Sequence, residues 1–269
     1  MIRRPPRSTQ GVSSAASDVY KRQEFGEMRP TMVHDGLWDV YNDEHMGNTG
    51  EAIAEECQIS RGVADAFAAR SHELANNAWN QGWMDFEIVD TPGIERDEGI
   101  GVRDDLSEMK AAFTEGGQIT AGNSSQLSDG AAAVVVANRD VAEKNGWPVL
   151  ATVLDYCTTG VEPARVMAAP IPAIETLLDR NEMTMEDLSY VEHNEAFAAA
   201  SCAIAKACSI PDEKLNPHGG AVAIGHPLGA TGARCLMTLI NALRRTGGGK
   251  GIVTLCLGGG NAVAMLVEV

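Results

Sequence analysis

Residues 216–234 read NPHGGAVAIGHPLGATGAR, five glycines in one loop-to-helix passage. Glycines at this density permit positive φ and let backbone approach backbone, or a ligand, closely. Directly downstream, Leu236, Leu239, Ile240 and Leu243 fall at i, i+3, i+4 and i+7, which predicts an amphipathic helix. Arg244 and Arg245 occupy its last turn, where the helix dipole favours cations, and Gly247–Gly249 end it. Two apolar runs follow, Gly251–Cys256 and Ala262–Val269, joined through GGGN at 258–261. Strands linked this closely form an antiparallel hairpin.

The same texture extends upstream. GAAAVVVANRDVAEKNG (130–146) reads as a buried strand running into a helix, and Pro148–Tyr156 as the next strand. Ile171–Arg180 reads as a helix and Leu188–His193 as a strand. Glu195–Cys208 is an Ala-rich helix with Phe197, Ala200, Ile204 and Cys208 along one face. Such alternation predicts an α/β layer structure with a mixed sheet. Residues 24–127 differ and look like an insertion of helices and loops. Glu51–Cys57 predicts a short helix. Ser60 is a good N-cap for a helix over Arg61–Gln81, with Val63, Phe67, Leu74 and Trp79 near helical spacing. Asp90–Asp105 is acidic, holds Pro and Gly, and reads as an exposed connection.

Residues 1–23, MIRRPPRSTQGVSSAASDVYKRQ, show no apolar periodicity. The segment resembles a mitochondrial transit peptide in its Arg and Ser content, and more closely a translated sequencing adapter. It is set aside as a non-native or targeting-like tail. If residue 24 opens in mid-flow, an upstream part of the fold is expected to be missing.

The chain has 269 residues, 44% apolar and 22% charged, which fits a globular protein. It carries 21 Lys+Arg against 37 Asp+Glu, a net charge of −16. The tail holds five bases and one acid, so the body alone stands at −20. That balance argues against nucleic acid and against anionic membrane surfaces. No run of about 18 uncharged apolar residues predicts a membrane span. The six cysteines form no C-x-x-C pair and no zinc-spaced cluster, so no metal is expected. Reduced thiols in the cytoplasm are the expectation.

Three loops could carry chemistry. In His193-Asn194-Glu195-Ala196-Phe197, Asn194 is either a helix N-cap or an amide that holds a water or substrate oxygen. In Gly225-His226-Pro227-Leu228-Gly229, a histidine precedes a helix N-terminus, which favours developing negative charge. No G-K-[ST] ends that loop, so it is not a Walker loop. In Cys256-Leu257-Gly258-Gly259-Gly260, a thiol ends an apolar strand. It is either a small buried hydrophobe or an exposed thiol beside backbone N–H groups of an oxyanion hole. A neighbouring histidine would lower that thiol from about 8.5 toward neutrality. Residue chemistry alone suggests acyl transfer or hydrolysis by Cys and His.

Taken together, N-E-A-F-A, G-G-A-x-A-x-G-H-P-x-G-A-T-G-A-R and C-x-G-G-G-N resemble the thiolase family. HMGNTGE (45–51), ISRGVADAFAARSHELANNA (59–78) and ITAGNSSQLSDGAAAVVV (119–136) resemble its upstream motifs, so the likeness runs from about residue 24 to 269. The resemblance implies a layered αβαβα sandwich, here incomplete. Residues 24–127 would be a partial loop domain, 128–147 the end of the N-terminal domain and 148–269 the C-terminal domain. It implies Claisen condensation or thiolysis of acetoacetyl-CoA or 3-ketoacyl-CoA through an acyl-cysteine, with CoA and acyl-CoA as substrates and no cofactor. By motif position, His226 would activate the nucleophile and bind the thioester oxygen. Asn194 would hold a water, Cys256 would be the acid–base, and the Gly258 N–H would serve a second oxyanion hole. His45, Met46, Phe113, Ala121 and Ser125 match positions that contact CoA, and Phe197 a residue of the pantetheine tunnel.

The sequence also departs from the family. None of the six cysteines stands where the family's nucleophile does, so the chain is expected to be inactive alone. The loop domain is shortened near Asp90–Asp105, close to the tetramerisation elements of many thiolases; a dimer or tetramer is the expectation for a full-length protein. His193 replaces the usual Leu. A degradative 3-ketoacyl-CoA thiolase and a non-catalytic acyl-CoA-binding or scaffold subunit are the competing readings, with a stand-alone Cys/His hydrolase behind them.

Overall fold

The structure, a computed structural model, describes residues 30–101 and 105–269. The expected tail, 1–23, lies outside the described residues. The chain divides into two units between Trp38 and Asp39. Of the first, Met32–Gly36 form a short π-helical turn. The second, Asp39–Val269, holds everything that follows.

Its helical part is α1 (Met46–Glu56) and α2 (Arg61–Asn80). His45 caps α1, its Nδ1 accepting from Gly47 N at 2.9 Å, and Ser60 caps α2 by accepting from Val63 N at 3.4 Å. The deepest part of the buried face of α2 is lined by alanines, with Phe67 and Trp79 packed at its margins. Ala64, Ala68, Ala75 and Ala78 are fully buried, while Val63 is 48% exposed. The neighbour explains it: α5 is itself Ala-rich, and small residues on both helices let the axes approach.

Downstream come α3 (Arg139–Lys144), β1 (Thr152–Gly160), α4 (Pro170–Arg180), β2 (Tyr190–His193), α5 (Ala198–Ala207), the single turn α6 (Ala221–Ile224), α7 (Leu228–Arg245), β3 (Lys250–Leu257) and β4 (Asn261–Glu268). The strand order is β1-β4-β3-β2. β3 and β4 form the expected antiparallel hairpin, β1 adds antiparallel to β4, and β2 lies parallel to β3. One sheet face carries Val191, Ile252 and Leu266 against α4 and α5 residues Ile174, Leu177 and Ile204. The other carries Val253, Leu255 and Val267 against α7 residues Cys235, Leu239 and Leu243. The single-residue alternation at Ile252 and Val253 therefore feeds two cores, and the mixed sheet lies between helical layers. α7 stops as its glycines require: Gly248 N donates to Leu243 O at 2.8 Å, with Gly247 at φ +93°.

Several expectations need correction. Residues 130–138 form no strand, and Val135 and Val136 are 92% and 81% exposed. An apolar run becomes a strand only where neighbouring strands take its N–H and C=O groups, and none of the described residues does so here. The strand expected at Pro148–Tyr156 begins later, at Thr152, and runs to Gly160. The helix expected from Glu195 starts at Ala198 with Phe197 as its N-cap. Of the connection expected at Asp90–Asp105, residues 90–101 are irregular and largely exposed, but they bury Ile100.

Candidate active site

A parallel strand pair delivers both chain exits to one edge of a sheet. β2 pairs His193 with Thr254 of β3, and Asn194 N donates to Thr254 O at 3.2 Å, two residues before Cys256. α7 packs on β2 and β3 as part of the crossover between them, so its N-terminus lies at that same edge. His226 is thereby brought to Asn194.

The bland reading of Asn194 as an N-cap fails, because the helix begins four residues later. Its side chain is wholly buried, and Nδ2 lies 3.2 Å from His226 Nε2. Its Oδ1 is buried without a protein partner. His226 Nδ1 lies 2.7 Å from Thr231 Oγ1, whose own hydrogen goes to Pro227 O at 3.0 Å. Thr231 must then accept, so Nδ1 carries the proton and Nε2 presents its lone pair toward Asn194. Burial, with the Arg234 charge adding, pushes the His226 pKa down to about 4, so the imidazole is neutral near pH 7.

The expectation that histidine would acidify Cys256 is overturned. The half-buried thiol is pushed up to about 11 by desolvation, and its sulfur lies 3.9 Å from Met167 Sδ. It is therefore a protonated acid, not a thiolate. The other five cysteines are shifted upward as well, each mainly by desolvation. Gly258 is exposed in the hairpin turn, with open space where a side chain would project.

Residues that the motifs carried without an assigned role build the scaffold. Glu195, fully buried, accepts from Ser71 Oγ at 2.6 Å, Asn216 Nδ2 at 2.8 Å and Val222 N at 3.1 Å. It joins α2, the Asn216 loop and α6 to the Asn194 loop. A Cβ on Gly220 would lie 2.4 Å from the Glu195 carboxyl carbon, so only glycine fits there. Gly225 has φ +88°, and a Cβ there would strike Ser128 Oγ at 2.0 Å. Gln126 receives His226 N through its carbonyl at 3.1 Å and donates its amide to the Gly99, Val222 and Ala223 carbonyls. A fully polar side chain such as Glu195 inside an Ala-rich segment was the available signal, since burial there demands partners.

The expected substrate residues converge in part. His45 stacks on Phe113 with ring centroids 4.8 Å apart, and Phe113 meets Phe197 edge-on at 6.1 Å. Met46 packs on the same core as Phe197. Ser125 N donates to Ala196 O at 3.0 Å, placing it beside the Asn194 loop. Ala121 is exposed on the loop that leads there. A groove of about 710 Å³ runs past Arg61, Lys110, Phe113 and Gln118. Among the described residues no group of His, Cys, Asp and Glu could hold a metal ion.

Asn194 and Cys256 at the ends of paired strands, with His226 before the crossover helix, stand in a chain that two family descriptions match. The family description "Thiolase, N-terminal domain" matches residues 9–140 and "Thiolase, C-terminal domain" residues 147–269. The first match begins inside the segment the sequence reading sets aside. The chain is 43% identical over 250 residues to an acetyl-CoA acetyltransferase of Cupriavidus necator, covering 88% of this chain and 64% of that one. It is 40% identical over 266 residues to the acetyl-CoA acetyltransferase of Paracoccus denitrificans, covering 94% and 68%. The crystal structure of the Bacillus anthracis acetyl-CoA acetyltransferase superposes with a TM-score of 0.84 at 37% identity, covering 92% of this chain and 66% of that one. The chain belongs to the thiolase family. It spans about two thirds of the length of the curated relatives it matches.

Proposed function

We propose that this chain carries the acid–base and oxyanion half of an acyl-CoA acyltransferase of the acetyl-CoA acetyltransferase type. The observation that supports it most is the Asn194–His226 contact at 3.2 Å at the sheet edge that also carries Cys256. In thiolysis, cleavage of the 3-ketoacyl carbon–carbon bond leaves the acyl group on a nucleophilic cysteine and an acetyl-CoA carbanion. Cys256, protonated up to about 11, delivers its proton to that carbanion. In condensation the same sulfur takes the α-proton, and the carbanion attacks the acyl-cysteine. His226, neutral with its Nε2 lone pair on the Asn194 side, takes the nucleophile's proton and then donates to the thioester oxygen. Asn194 orders the water of that oxyanion site, and the Gly258 N–H serves the second. The aromatic run His45–Phe113–Phe197, with Met46, Ser125 and Ala121, lines the path of CoA. No cofactor enters this chemistry. Six free thiols fit a reducing cytoplasm.

None of the six thiols is lowered toward a thiolate, which supports inactivity of this 269-residue chain by itself. The test is direct. The purified chain should bind CoA by calorimetry and give no cleavage of acetoacetyl-CoA with CoA. Turnover above a no-protein control would sink the inactive reading; absence of any CoA binding would sink the site assignment. The upward shift of all six thiols also favours a second reading, an acyl-CoA-binding subunit that works beside a cysteine-bearing partner. Activity restored by such a partner and lost in His226→Asn would select it.

A further inference from the structure

Two side-chain contacts join the end of β2 to α7 and the loop before it. Asn194 meets His226, and two residues back on the same strand face Glu192 meets Arg234, whose Nη1 donates to Oε1 at 2.8 Å. Two residues on a strand span roughly 6.6 Å. The contacts are thus two rungs between one strand end and the start of one helix, with Thr231, the Nδ1 partner of His226, between them in sequence. Glu192 is wholly buried and Arg234 only 15% exposed. Each keeps one buried atom without a hydrogen-bond partner, Glu192 Oε2 and Arg234 Nη2. The groups that face Arg234 are Glu192 from β2, Glu195 from the loop after it, Glu87 from the segment after α2, Asp97 from the acidic connection and Cys235 on its own helix. His226 faces neutral Asn194 and Thr231, and Arg234 is the charged group that acts on it.

We propose that Arg234 is a positioning residue acting through His226: pinned by Glu192, it fixes the start of α7 on the end of β2 and sets the charge against which the imidazole works. The role deepens the acyl-transfer reading given above and takes its meaning from it. Removing the guanidinium relieves the repulsion that opposes a second proton on His226. Shortening it to lysine keeps the charge.

Proton affinity can be read without turnover, so failure of this idea is distinct from failure of the acyl-transfer reading. The experiment is an imidazole ¹⁵N NMR titration of the full chain, with His226→Asn assigning the resonance. Arg234→Met should raise the His226 midpoint by about one unit or more, roughly a tenfold gain in proton affinity. Arg234→Lys should keep it low. If Arg234→Met does not fold, the double variant Glu192→Gln with Arg234→Met leaves no unpaired charge from the pair and carries the same expectation. A midpoint unmoved in the folded Met variant, or a Lys variant that behaves like Met, overturns the proposal.

Discussion

Glu195 lies between residues with chemical roles and touches no reacting atom, yet three donors converge on it. Glu195→Ala strands a hydroxyl, an amide and a backbone N–H in the core, a loss of roughly 3 kcal/mol or more. Urea melts of the variant measure it, and a change under about 1 kcal/mol would show that water replaces the carboxylate. The buried histidines and acids shape the pH response in opposite senses. Burial lowers His193 to about 3 and His218 and His226 to about 4, from 6.5. The unfolded chain therefore takes up protons first, and stability present above about pH 6.5 drains as the pH falls toward 3. Burial raises Glu192 from 4.5 to about 8, with Glu195 and Glu87 adding and Arg234 opposing. Its contribution is full below about pH 4.5 and is lost as the pH rises through 8. The melting temperature of Glu192→Gln relative to the parent should hence be higher at about pH 9 than at about pH 5. Equal shifts at both would contradict the assignment.

At the scale of elements, α2 and α7 test how burial is distributed. Leu239 of α7 is fully buried against Val253 and Val267, and Leu239→Ala should cost about 2–5 kcal/mol. On α2 the exposed Val63 is the expendable apolar residue. Val63→Ala should stay within about 0.5 kcal/mol, while Ala68→Leu, forced against the Ala-rich face of α5, should cost about 1–3 kcal/mol. Denaturant midpoints compare the three directly, and a reversed order on α2 would mean that the helix presents its other face. Periodicity placed α2, α4, α5, α7 and the β3–β4 hairpin close to where they stand, because each buries its own repeating face. It did not single out the alanines at the centre of the buried face of α2, since alanines carry little hydrophobic signal and their burial depends on the partner helix.

Over the whole molecule, the apolar surface is uneven. Val134, Val135 and Val136 lie exposed on a stretch that reads as a strand, and Val153, Leu154 and Tyr156 are exposed on the edge strand β1. Unpaired edges and contiguous apolar patches favour self-association. The chain should therefore elute as assemblies larger than a 28.5 kDa monomer, with the dye-binding of exposed apolar surface. Val135→Lys with Val136→Glu should shift it toward monomer and reduce dye binding. An unshifted elution profile would locate the association elsewhere.

The class of the fold and the family were legible in the sequence, which also singled out Asn194, His226 and Cys256 as candidates. Those features are written locally, in glycine spacing, helical period and short motifs. The folded chain was needed to see that residues 130–138 stay unpaired, that burial pushes the Cys256 thiol up rather than down, and that Glu195 and Thr231 bond to the loops around Asn194 and His226. A strand needs its neighbours, a pKa answers to burial and to charges distant in sequence, and a buried hydrogen-bond network exists only once the chain has brought its members together.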